Sequence, residues 1–151
     1  MANENMLQDY GVEPPAPHAA RVSLALLFGA LIASPLAWSA QLLLNYGLAS
    51  HACFPSDAPR ASLSTGWEWA PRAIIAINLF CLLIAIAASL VSASIWRRTR
   101  EEAAGGHAGA LDVGQGRTRF FAIWGVWAGV WFSLQIVFAT IAAFWVPPCG
   151  S

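Results

Sequence analysis

The chain has no lysine, only two methionines, and three long stretches in which no side chain carries a charge. Each shortage excludes a class of protein. Charged residues make up 11% of the 151 positions, where a soluble domain carries about 25%. The eight basic residues are Arg21, Arg60, Arg72, Arg97, Arg98, Arg100, Arg117 and Arg119, and eight acids balance them. No basic surface is left to neutralise a run of phosphates, which argues against nucleic-acid binding. Without lysine there is no nucleotide-binding loop of the Gly-rich, lysine-containing kind. No Ser-His-Asp set and no carboxylate pair is visible, so the chain is read as not an enzyme. His18, His51 and His107 all lie outside the charge-free stretches, which argues against axial haem ligation, and no cofactor is expected.

What the chain has is apolar length. The runs 22–50, 73–96 and 120–147 each exceed the roughly 20 residues that a helix needs to cross a bilayer's hydrocarbon core. Backbone groups in lipid must be satisfied within the segment, so each run should be helical. The expected fold is all-α, an integral membrane protein with three transmembrane helices at about 21–50, 73–96 and 120–146. Together they form one domain, 21–151, with loops at 51–72 and 97–119. Residues 1–20 carry three acids and no base, unlike a secretory leader, and Pro14, Pro15 and Pro17 oppose a helix. They read as a disordered tail.

Orientation follows from arginine placement in short loops. Five arginines fall in 97–119, two in 51–72, and none after the third run. The 97–119 loop is therefore placed in the cytoplasm with the N-terminus. The 51–72 loop and the C-terminus then lie outside, in the periplasm of a bacterial inner membrane. Several of the eight tryptophans sit near the expected boundaries, where an amphipathic ring is stable.

Within the first run Pro35 removes an intrahelical hydrogen bond. Ser34, Trp38, Gln41 and Asn45 recur at three- and four-residue spacing near one face. Gln41 and Asn45 are costly in lipid without a partner, and the reading is a hydrogen bond to another helix or a neighbouring protein. In the second run Ala85, Ser89 and Ala93 make a small-residue ridge, and Cys81 reads as a buried small hydrophobe. In the third run Gly125 and Gly129 form a GxxxG pair suited to close helix contact. Trp124, Trp127 and Trp131 crowd one half of that run and read as anchoring and packing groups.

Cys53 and Cys149 both fall on the outer side in this topology, where disulfides persist. The first reading, and the expected one, is a Cys53–Cys149 disulfide holding the polar outer loop to the end of the third helix. The other is a metal site built from His51, Cys53 and Cys149, since imidazole and thiolate suit copper or zinc. That set offers few ligands, and no metal is assigned.

The stretch 29–53, GALIASPLAWSAQLLLNYGLASHAC, resembles the opening helix of small bacterial membrane proteins encoded near haem-copper terminal oxidase genes, of the cytochrome c oxidase type. The matching features are Pro35 and Trp38, then Asn45-Tyr46 ahead of an outer cysteine. Arg119-Phe120-Phe121-Ala122, Gln135, Pro147 and Cys149 match at the other end. The resemblance covers the first and last helices and little of the middle. Those proteins commonly carry a histidine close after the first-helix tryptophan, whereas this chain has Trp38-Ser39-Ala40-Gln41. Glutamine keeps a polar contact but does not titrate near neutral pH. The resemblance therefore implies a non-catalytic accessory subunit of a respiratory complex, with oxidase subunits and lipid as partners. Two alternatives remain: a transient assembly factor handling copper or haem, and an independent small transporter.

Overall fold

The computed structural model describes residues 24–54, 62–103, 115–146 and 149, with backbone alone at 24, 99–103 and 115–119. Three α-helices follow one another: α1 (Leu24–Cys53), α2 (Ala70–Ala103) and α3 (Gln115–Trp145). Each contains a stretch long and apolar enough to cross a membrane: Ala25–Cys53, Ala70–Arg98 and Phe120–Trp145. The protein is thus all-α over its described residues, with three membrane spans. The expected tail 1–20, most of the polar part of the 51–72 loop, the centre of the 97–119 loop with His107, and the Pro147-Pro148 stop lie outside the described residues.

The helices differ in extent from the charge-free runs that announce them. Helix α1 continues past Ser50 to Cys53, and the amide of Phe54 still donates to the Ser50 carbonyl at 2.9 Å. Helix α2 begins at Ala70, ahead of Pro71. Proline is harmless in a first turn, where its missing N–H would have had no helical partner. At its other end α2 runs on through Arg97-Arg98-Thr99-Arg100-Glu101-Glu102, because arginine, glutamate and alanine are good helix formers. Loss of hydrophobicity marks where the hydrocarbon ends, not where the helix ends.

The bundle is organised on α2, which runs back between α1 and α3 and packs on both. Beyond Ala70 in its first turn, its buried side chains are Ile74, Asn78, Cys81, Ala85, Ala88, Ser92 and Ile95. The steps alternate four and three, the 3.5-residue repeat of helices that supercoil around one another. Helix α1 answers with Leu27, Ala30, Ser34, Ala37 and Gln41. Helix α3 answers with Ala122, Gly125, Gly129 and Ile136. The seam is thus mostly alanine, glycine, serine and amide. Large apolar side chains such as Leu43, Phe80, Leu83, Phe138 and Phe144 point outward. In lipid no hydrophobic force drives helices together, so small residues that let backbones approach replace the large core of a soluble bundle.

Three layers follow from one end to the other. Leu27, Ile95 and Ala122 close the end nearest the arginine-rich segment. Ala37, Cys81, Ala85 and Ile136 fill the middle, flanked by Trp38 and Ile77. Ala52, Cys53, Ala70 and Cys149 close the far end, capped by Leu63 and Trp67.

Candidate functional site

The most polar place in the membrane-spanning part is an amide cluster between α1 and α2. Gln41 Nε2 donates to Asn78 Oδ1 at 3.1 Å, and Asn45 Nδ2 donates to the same oxygen at 2.7 Å. Gln41 and Asn78 are wholly buried. One carbonyl oxygen has two lone pairs, so Asn78 satisfies two donors from successive turns of α1. Gln41 Oε1, Asn45 Oδ1 and Asn78 Nδ2 are buried without a partner among the described residues. The cluster therefore fixes the register of α1 on α2 and retains hydrogen-bonding capacity for one more polar group. One layer deeper, Ser34 Oγ lies 3.5 Å from the Ala85 carbonyl, a long and weak contact. Helix α1 stays helical through Pro35.

On its other side α2 meets α3 through small residues. A Cβ built on Gly129 would stand 2.5 Å from Ser89 Cβ and 3.0 Å from Ser89 Cα. A Cβ on Gly125 would collide with the Ser92 hydroxyl. Gly125 and Gly129 thus face α2 within the chain. The ridge they meet is Ser89 and Ser92, not Ser89 and Ala93. A strict four-residue step drifts off a seam whose period is 3.5.

At the far end Cys53 and Cys149 form a disulfide, with 5.2 Å between Cα atoms and 96 residues between them in sequence. The loop after α1 folds back over it. Ser64 N and Oγ both donate to the Ala52 carbonyl, at 3.0 and 2.8 Å. The turn that follows is closed by Trp67 N donating to the Ser64 carbonyl, with Gly66 at φ 91°. That is a type II turn, whose third position requires a positive φ and so favours glycine. The turn lays Trp67 against His51, ring centroids 6.0 Å apart and 12° from parallel, and Trp69 stacks on Trp67 at 5.6 Å. His51 is therefore part of an aromatic stack, and the two sulfurs are spent on each other. Among the described residues no three His, Cys, Asp or Glu side chains gather as a metal site.

The outer surface of α3 carries the remaining feature. Ile123, Trp124, Trp127, Ala128, Trp131 and Phe132 line an open apolar cleft of about 630 Å³. Trp38 of α1 packs on Phe132, with ring centroids 5.3 Å apart. Trp124, Trp127 and Trp131 are more than half exposed. Of the remaining residues singled out in the sequence, Tyr46 is exposed on α1 and Gln135 is half-buried on α3.

Two residues that organise the interior, Asn78 and Ser92, are not among those the sequence pattern singles out. Asn78 was the signal available, as the one amide in the second apolar run. An amide there is expensive without a partner, and the first run offers two. Ser92 was visible only to a 3.5-residue period.

Comparison with protein-family profiles, with curated proteins and with solved structures gives no match.

Proposed function

We propose that this chain is a non-catalytic accessory subunit that docks by the tryptophan face of α3 on a larger membrane complex. The complex implied by the sequence resemblance is a haem-copper terminal oxidase of a bacterial inner membrane. The observation that carries the docking reading is the depth of Trp131. It lies eleven residues beyond Phe120, where the span begins, hence about 16 Å along the helix. The hydrocarbon core is about 30 Å thick, so Trp131 stands near its middle, far from the headgroup level at which tryptophans anchor helices. Among the described residues neither Trp127 nor Trp131 finds a hydrogen-bond acceptor, and hydrocarbon offers none. A partner helix supplies both a flat apolar surface and an acceptor. Helix α3 is also the least covered: 11% of its apolar window is buried, against 28% in α1 and 22% in α2.

The orientation belongs to the same reading: the N-terminus faces the cytoplasm and the disulfide end faces the periplasm. The arginine imbalance and the oxidising requirement of a disulfide favour the same direction. Single cysteines placed at Ser62 and Ala110 test it by labelling from outside. Ser62 should label and Ala110 should not; the reverse result inverts the topology.

The assembly-factor alternative rests on His51 and Cys53 as metal ligands. The disulfide and the His51–Trp67 stack count against it. The transporter alternative keeps one supporting feature, the amide cluster with its unspent polar atoms. The deciding experiment is affinity purification of the full chain in mild detergent, with haem spectroscopy and subunit identification. Stoichiometric oxidase subunits, lost with Trp127→Ala and Trp131→Ala together, support the accessory role. Recovery of a lone, haem-free protein refutes it.

A further inference from the structure

At the opposite end from the disulfide, Leu90, Ala93, Ser94, Arg97 and Arg98 line an open groove of about 300 Å³ on α2. That volume is at the low end of the roughly 300–1,000 Å³ typical of ligand clefts. Its two ends differ in chemistry. Leu90 is exposed within the apolar span, and Ala93 leaves a shallow floor one turn further on. Arg97 and Arg98 are exposed where the span stops. The Ser94 hydroxyl is spent on the Val91 carbonyl at 2.7 Å, so the cationic end consists of guanidinium groups. We infer that this groove is a binding site for an anionic phospholipid, its phosphate held by Arg97 and Arg98 and an acyl chain lying over Ala93 and Leu90. The inference does not depend on the identity of any protein partner.

Two features separate this from ordinary arginine anchoring at a membrane surface. The first is the floor. A free phosphate or a diffuse cloud of anionic lipid needs the guanidinium pair alone, whereas this pair stands at the mouth of an apolar groove that continues into the span. The second is the pair itself: Arg97 and Arg98 line one groove together and both are exposed. A phosphate at the bilayer surface meets two guanidinium groups at once and accepts in the planar, forked geometry that arginine offers.

The full-length protein, stripped of lipid in neutral detergent, is followed by native mass spectrometry. It is titrated in turn with phosphatidylglycerol, phosphatidylcholine and water-soluble glycerol 3-phosphate. One molecule of phosphatidylglycerol should saturate the chain with an affinity about tenfold or more above phosphatidylcholine, and glycerol 3-phosphate should bind far more weakly. Arg97→Gln with Arg98→Gln should remove that preference; both residues are exposed, so the fold is not at stake. Ala93→Phe should weaken phosphatidylglycerol binding with every charge intact. Equal affinity for the two lipids overturns the site, and so does indifference to the double arginine variant. Glycerol 3-phosphate binding as tightly as the lipid replaces it with a free-anion site.

Discussion

The two sides of α2 are joined to their neighbours by different chemistry. Toward α3 the contact is close approach: Gly125 and Gly129 have no side chain, and Ser89 and Ser92 fill the space. Toward α1 the contact is hydrogen bonding: Gln41 and Asn45 converge on one oxygen of Asn78. The first gains many weak dispersion contacts and orders no long side chain. The second fixes register, but it leaves three polar atoms without a partner among the described residues in a low-dielectric interior. The glycine seam thus supplies proximity, and the amide seam supplies specificity of alignment. Helices α1 and α3, which pack on each other least, are the pair whose far ends the disulfide ties together.

The largest effect should come from cutting that tie. Replacing Cys53 and Cys149 with alanine releases a loop of 96 residues in sequence separation. The chain-entropy account assigns about 4–5 kcal/mol to a loop of that size, an upper value here because an unfolded chain in a bilayer remains confined. Steric-trapping unfolding in bicelles measures the loss. A loss below about 1 kcal/mol would mean that the two seams alone align the helices.

Next comes the glycine seam. Gly129→Leu drives a side chain into the Ser89 backbone and should cost about 1–3 kcal/mol, with α3 displaced from α2. Gly129→Ala tests the same contact more gently. Pairing it with Ser89→Gly removes the Cβ it would strike, so the double variant should recover part of the loss. Failure of that rescue would locate the glycine requirement elsewhere than at Ser89. On the amide side, Asn78→Ala strands two donors at once and should cost about 1–2 kcal/mol, since hydrogen bonds between membrane helices average about 0.6 kcal/mol each.

The contrast between the two seams also separates what was legible in the sequence from what was not. The three spans could be read because arginine, glutamate and aspartate are excluded from hydrocarbon, and their absence over 22–50, 73–96 and 120–147 is unambiguous. Pairing of Cys53 with Cys149 could be read because topology put both at one end. Helix ends could not: α2 runs to Ala103 because helix propensity outlasts hydropathy at Arg97 and beyond. The four-residue ridge through Ala93 missed Ser92 because the three helices follow a 3.5-residue repeat, which becomes apparent only when α2 is seen packed on both sides. Gln41 and Asn45 announced that a partner was needed. Which partner depended on the register of two antiparallel helices, and Asn78, 37 residues on from Gln41, is settled by packing rather than by local pattern.

The smallest effect sharpens the comparison most. Asn45 and Gln41 donate to the same oxygen, yet their removal should not be equivalent. Asn45 is only half-buried, and its Oδ1 has no partner among the described residues. Asn45→Leu gives up one hydrogen bond, but it also removes an unsatisfied acceptor and adds apolar surface facing lipid or α2. Asn78 Oδ1 keeps the Gln41 donor at 3.1 Å and is not stranded. The opposing terms are each on the order of 0.5–1 kcal/mol, so the net change should lie within about 0.5 kcal/mol of zero. Gln41→Leu starts from a fully buried side chain in the seam itself and must fit a branched group against Asn78 and the packed layer below, so it should cost more. The pair of variants, compared by unfolding in bicelles, therefore asks whether the amide seam is a cooperative network or two independent bonds sharing an acceptor. A loss above about 1.5 kcal/mol for Asn45→Leu would show that Asn45 Oδ1 is satisfied in the bilayer by a group from outside the chain. The cluster would then belong to an interface rather than to the bundle alone.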